Sequence, residues 1–156
     1  MRVAARLLLA LLLALPAAAA AQWWTEPPPL QIRLWTDKPA YRVGDTIRFG
    51  LAVNRDAYVA LLNVGTSGGT TVIFPNRFHP SPRVEAGREV TIPAPESGFA
   101  LTLRGPAGVE RVRAIASEAP IAIGEAPDLA AAVEAARQRA APGQWAEAMI
   151  AVEVRP

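Results

Sequence analysis

Thr46-Ile47-Arg48-Phe49-Gly50-Leu51-Ala52-Val53-Asn54-Arg55-Asp56-Ala57-Tyr58-Val59-Ala60-Leu61-Leu62-Asn63-Val64 is the stretch that decides the fold class. Ile47, Phe49, Leu51 and Val53 share one face of an extended chain, opposite Thr46, Arg48, Gly50 and Ala52. Asn54-Arg55-Asp56 has turn chemistry, and the run from Ala57 is apolar at almost every position. Such a run suits a strand covered on both faces.

The same pattern extends in both directions. Upstream, Leu30, Ile32 and Leu34 alternate with Gln31, Arg33 and Trp35, and residues 37–45 form a break in which Pro39 bars a central strand. Downstream, residues 65–69 close a hairpin onto a return strand at 70–74, which Pro75-Asn76 ends. Residues 77–88 are the longest irregular segment, punctuated by Pro80, Pro82 and Gly87. A short strand at 89–92 stops at Pro93, and Phe99, Leu101 and Leu103 then alternate with Ala100, Thr102 and Arg104. The next candidate, 109–116, is ambiguous, because Val112, Ala114 and Ala116 compete with Val109 and Ile115 for the inner face.

One helix interrupts the series. Pro127 and Asp128 suit its start, Leu129, Val133, Ala136 and Ala140 form its apolar stripe, and Pro142-Gly143 stop it. A last strand at 146–154 would bury Ala148, Ile150, Val152 and Val154. No long crossover helices separate the strands, which disfavours a doubly wound parallel sheet. The expected fold is mainly β: an antiparallel Ig-like or Greek-key β-sandwich of seven or eight strands with one late α-helix.

Composition bounds the organisation and the chemistry. With 156 residues, one sandwich over 30–156 is expected rather than two domains. Arg2 and Arg6, the leucine-alanine run 7–15, Pro16 and the alanines before Gln22 make residues 1–21 a signal peptide, with cleavage near Ala21. The apolar run is too short for a membrane span, and no later stretch approaches one. The expected location is therefore the periplasm or the medium. Residues 22–29, with Trp23, Trp24 and three prolines, read as a tether.

Without Arg2 and Arg6, fourteen basic residues face fourteen acidic ones, so the pI near 9.7 overstates the charge of the mature chain. A nucleic-acid partner is disfavoured, since it calls for a basic surplus. Zero cysteines exclude disulfides, thiol nucleophiles, thiolate zinc sites and lipid attachment through cysteine, and one histidine excludes any two-imidazole metal site. No metal or cofactor residue is assigned.

Five fragments in register carry a family resemblance. They are Tyr41-Arg42-Val43-Gly44-Asp45, the strand from Asp56-Ala57-Tyr58 to Leu62-Asn63-Val64, Ile73-Phe74-Pro75-Asn76, Ala86-Gly87 leading to Thr91-Ile92-Pro93, and Gly105-Pro106-Ala107-Gly108-Val109-Glu110-Arg111. Together they resemble a bacterial domain family of unknown function, DUF4384, over about 37–117 of this chain. The resemblance implies an accessory or interaction domain. Members are attached to caspase-like peptidases or kinases, or stand alone behind export signals. It supplies no catalytic residues.

The residues themselves offer little chemistry. His79 is the one imidazole available to a serine triad, with Ser67, Ser81, Ser97 or Ser117 as nucleophile and Asp37, Asp45 or Asp56 as acid. The carboxylates lie scattered beside arginines rather than paired as in a glycosidase. No catalytic residue is assigned. Candidate contacts are Phe74 and Asn76 as a groove lining, and Arg77, His79, Arg83 and Arg88 as a loop facing an anionic polymer. Phe74 and Asn76 read equally as core and turn former, and Tyr41 and Tyr58 as sugar platforms or packing residues. Glu110-Arg111 reads as a recognition pair or as a local structural bond. The expected function is a non-catalytic interaction module of the cell envelope, meeting another envelope protein through a sheet edge or loop 77–88. The alternative is a carbohydrate- or small-ligand-binding module, with cell-wall glycan as the partner.

Overall fold

Two β-sheets face each other across an apolar core, and a helix covers the outer face of the larger sheet. The computed structural model describes residues 26–64, 70–123 and 128–156. The expected leader, the first part of the tether, the hairpin at 65–69 and Pro127 lie outside the described residues.

The strands are β1 (Ile32–Thr36), β2 (Ala40–Arg42), β3 (Thr46–Ile47), β4 (Phe49–Val53), β5 (Ala57–Val64) and β6 (Thr70–Phe74). They continue with β7 (Arg83–Val84), β8 (Val90–Ile92), β9 (Leu101–Thr102), β10 (Gly108–Ser117) and β11 (Trp145–Arg155), with α1 (Leu129–Arg139) before the last. The smaller sheet has the order β1-β4-β8 and the larger β2-β11-β10-β5-β6, with β7 also on β5; β3 and β9 pair separately. Every pairing is antiparallel except that of β2 with β11, which is parallel.

The core lies between the sheets. Phe49, Leu51 and Ile92 of the smaller sheet pack with Val59, Leu61, Phe74, Val112 and Val152 of the larger. Each such side chain removed from water contributes roughly 1.5–3 kcal/mol. A second cluster on the far side joins Ala60, Leu62 and Ile115 to Ile123 and to Val133 of α1. This resolves the two readings of β10. Val112, Ala114 and Ala116 face the main core, Ile115 lies under the helix cluster, and Val109 is exposed. The helix starts where Asp128 caps it, its Oδ1 accepting the Ala131 N–H at 3.0 Å.

Eleven strands replace the seven or eight expected, through two short additions and one break. Ala40–Arg42 and Arg83–Val84 pair, and the expected strand around Phe49 splits at Arg48. Arg48 turns to Asp37 instead, donating its N–H to Asp37 Oδ1 at 3.1 Å and accepting the Asp37 N–H at 3.3 Å. Gly50 and Ala52, expected on an outward face, are buried, because all of β4 is covered.

Candidate functional site

Residues 77–88 run from the end of β6 towards β8 along a cleft of about 510 Å³. His79, Arg83 and Arg88 all line it, beside Ser81, Glu85 and Glu96. Its charges are matched internally. Arg83 donates to Asp56 Oδ2 at 3.0 Å, and Arg88 lies 3.5 Å from Glu85. Asp56 also accepts the Ala86 N–H at 2.8 Å; that bond first, and Arg83 second, hold its carboxyl below the ordinary range. An anionic polymer would have to displace these partners.

Phe74, Asn76 and Arg77 are not brought into this cleft. Phe74 is 0% exposed and belongs to the core, so it offers no contact to a partner. Asn76 closes a turn: its Nδ2 donates to the Ile73 carbonyl at 2.7 Å, and its Oδ1 accepts the N–H groups of Phe78 and His79 at 2.8 and 2.9 Å. With both ends of the amide engaged, it is a structural residue rather than a groove lining. Arg77 sits 4.6 Å above the Phe78 ring, which stacks on Phe99 at 4.5 Å. Tyr41 is 2% exposed, its hydroxyl donating to Asp37 Oδ1 at 2.6 Å, so it is no sugar platform.

Ser81 and His79 line the same cleft, while the other residues considered for a hydrolase are engaged elsewhere or lie outside the described residues. His79 meets Phe74 edge-on at 5.0 Å, and its Nδ1 is buried with no hydrogen-bond partner. Asp37 is held by Tyr41, Asp45 accepts the Arg42 N–H at 2.9 Å, and Asp56 holds Arg83. The Ser97 hydroxyl donates to the Ala94 carbonyl, and the Ser117 oxygen accepts the Ala119 N–H. Ser67 lies outside the described residues. Among the described residues no three His, Asp or Glu side chains gather as metal ligands would, and no helix is long and apolar enough to cross a membrane.

Two further features stand out, of which sequence reasoning expected a sheet edge without placing it and missed the other. The first is an open sheet edge. β11 pairs with β10 along ten of its eleven residues, but on its other side only Glu153, Val154 and Arg155 meet β2. The Arg155 carbonyl accepts from Val43 on that side, while the Gln144 carbonyl accepts from Glu118 on the β10 side. By strand alternation, Glu147, Met149 and Ala151 therefore aim their N–H and C=O groups at the open edge. Ala146, Ala148 and Ile150 point into the core yet stay partly exposed, since among the described residues no strand continues the sheet beside them. Met149 is 61% exposed.

The second feature is a pocket of about 170 Å³ at one mouth of the sandwich, with Asn63, Glu110 and Arg104 on its wall. Asn63 Nδ2 donates to Glu110 Oε2 at 2.9 Å, a bond between β5 and β10. The expected local role of Glu110 is thus real, with an asparagine as partner rather than a turn amide or an arginine. A lone asparagine in the apolar run of β5 was the available signal.

Comparison with known proteins adds little beyond family. No curated protein matches the chain. Among solved structures it is similar to the crystal structure of Spo0M, a sporulation control protein from Bacillus subtilis, at 14% identity and a TM-score of 0.45. That match covers 83% of this chain and 51% of the other, so the chain spans about half of that protein's length. The family model described as "Domain of unknown function (DUF4384)" matches residues 40–120, just over half of the 156 residues. The chain belongs to the DUF4384 family.

Proposed function

We propose that the chain is an exported, non-catalytic accessory module of the bacterial envelope, and that it holds a partner protein by strand addition to β11. The carrying observation is the open edge at Glu147, Met149 and Ala151. A long edge with free N–H and C=O groups is a template for an extended segment of another chain, and proteins usually blunt it with lysine, proline or a bulge. The open stretch of β11 has no lysine or proline, and its register with β10 is unbroken. The other edges are shorter or irregular. β2 and β8 have three residues each, β1 has five, and β6 meets β5 through a register shift. Loop 77–88 is the weaker surface, since Arg83 and Arg88 are already paired. Residues 1–21, with the charges and length of a leader, support export.

The test is cross-linking and affinity capture of the tagged chain from its native envelope, read by mass spectrometry. A stoichiometric protein is expected, and it should be lost on Met149→Pro, which removes one outward N–H. Capture that persists in that variant would exclude the edge. Retention of peptidoglycan fragments in place of protein would move the function to glycan binding.

A further inference from the structure

The pocket beside Asn63 has a composition that the open edge does not explain. Its floor is apolar and already in place: Ile47, Phe49, Ile73 and Leu103 are all buried core residues that border it. Two side chains of opposite charge, Glu110 and Arg104, line the same space. Neither has an ion-pair partner among the described residues, and they do not pair with each other, so more than 4 Å separates their charged atoms. Seven arginine–carboxylate pairs form elsewhere among the described residues, and Glu110 and Arg104 stay outside them, each with its charge open to a ligand.

Glu110 is also held in position. Its Oε2 accepts from Asn63 Nδ2, which leaves the rest of the carboxylate for a second donor. Asn63 Oδ1 is buried without a partner, and flipping the amide would turn that oxygen against the carboxylate. A donor arriving at Glu110 therefore comes to a wall rich in acceptors, while Arg104 offers planar donors to an anion. Small-molecule sites pair an apolar floor with a few placed polar groups in this way.

From this geometry we infer that the pocket binds a small zwitterion with an aliphatic side chain, the chemistry of a free apolar α-amino acid. The ammonium lies on Glu110, the carboxylate on Arg104, and the side chain on Ile73 and Leu103. The volume of about 170 Å³ equals about five or six waters at ~30 Å³ each, which admits such a molecule.

The test uses L-leucine as the probe, followed by methyl NMR of the purified chain. Saturable shifts are expected at Ile47, Ile73, Leu101 and Leu103. Leucinamide, lacking the carboxylate, and N-acetyl-leucine, lacking the ammonium, should each bind at least tenfold more weakly. Glu110→Gln keeps an acceptor for Asn63, and Arg104→Gln changes an exposed side chain, so both variants should retain native methyl dispersion. Each should weaken L-leucine at least tenfold. Absence of shifts at 10 mM leucine would overturn the inference. So would equal binding of 3-methylbutanol, which would reduce the site to an apolar dent, or leucine affinity unchanged in both variants.

Discussion

At the scale of single residues, a side chain crowds the backbone at Gly50. The Trp35 indole of β1 lies over it, and a Cβ at position 50 would fall within the ring. The Arg33 guanidinium lies 5.6 Å from the centre of the same ring. Gly50→Ala should therefore cost about 1–3 kcal/mol, as overpacking does, read as a lower denaturant midpoint. Adding Trp35→Ala should recover part of that loss; equal costs in both backgrounds would show that the ring is not the cause. None of this was legible in the linear order, where Gly50 reads as one of the small residues on an outward face. Phe74 and Asn76 failed for a related reason. Groove lining, core and turn former use the same residue types, and only burial and bonding distinguish them.

At the scale of elements, period-two alternation placed β1, β4 and β11, a continuous apolar run placed β5, turn chemistry placed β6 as its return strand, and an apolar stripe placed α1. Strands of two or three residues outside those runs, such as β2 and β7, are too short to show an alternation and gave no signal. The parallel pairing of β2 with β11 is likewise invisible, because it joins distant segments. Alternation along β11 nevertheless yields a sharp contrast between neighbouring positions. The Ala148 N–H belongs to the β10 ladder, so Ala148→Pro should cost about 3 kcal/mol or more by losing that bond and straining the strand. Met149→Pro removes a donor aimed at open space and should cost far less. Thermal or urea unfolding of the two variants checks the contrast, and equal losses would contradict the assigned directions.

At the scale of the molecule, carboxylates set the pH response. Burial raises Asp37, but hydrogen bonds from the Tyr41 hydroxyl and the Arg48 N–H outweigh it and leave the group lowered. Glu147 follows the same pattern, with burial outweighed by Arg113 and Trp145 together with the nearby guanidinium charges, and Asp56, Glu134 and Glu153 are lowered by their hydrogen-bonded partners. Groups lowered in the native state bind protons more readily when unfolded. Their contribution is complete above the ordinary values of 3.8 for aspartate and 4.5 for glutamate, and it is lost as pH falls through the native values. The urea midpoint should thus be level from pH 8 to about 5.5 and decline below about 4.5; a midpoint that rose on acidification would refute this.

The placement of β11 between β2 and β10 has a consequence in time. A chain is made from its first residue onward, so β10 is complete while the strand that must lie beside it does not yet exist. Until residues 145–155 arrive, β2 has no neighbour, Ala114 and Ala116 lack the strand beyond them, and the larger sheet is split in two. Closure of the larger sheet therefore waits on residues 145–155, which are made after every other strand of the two sheets.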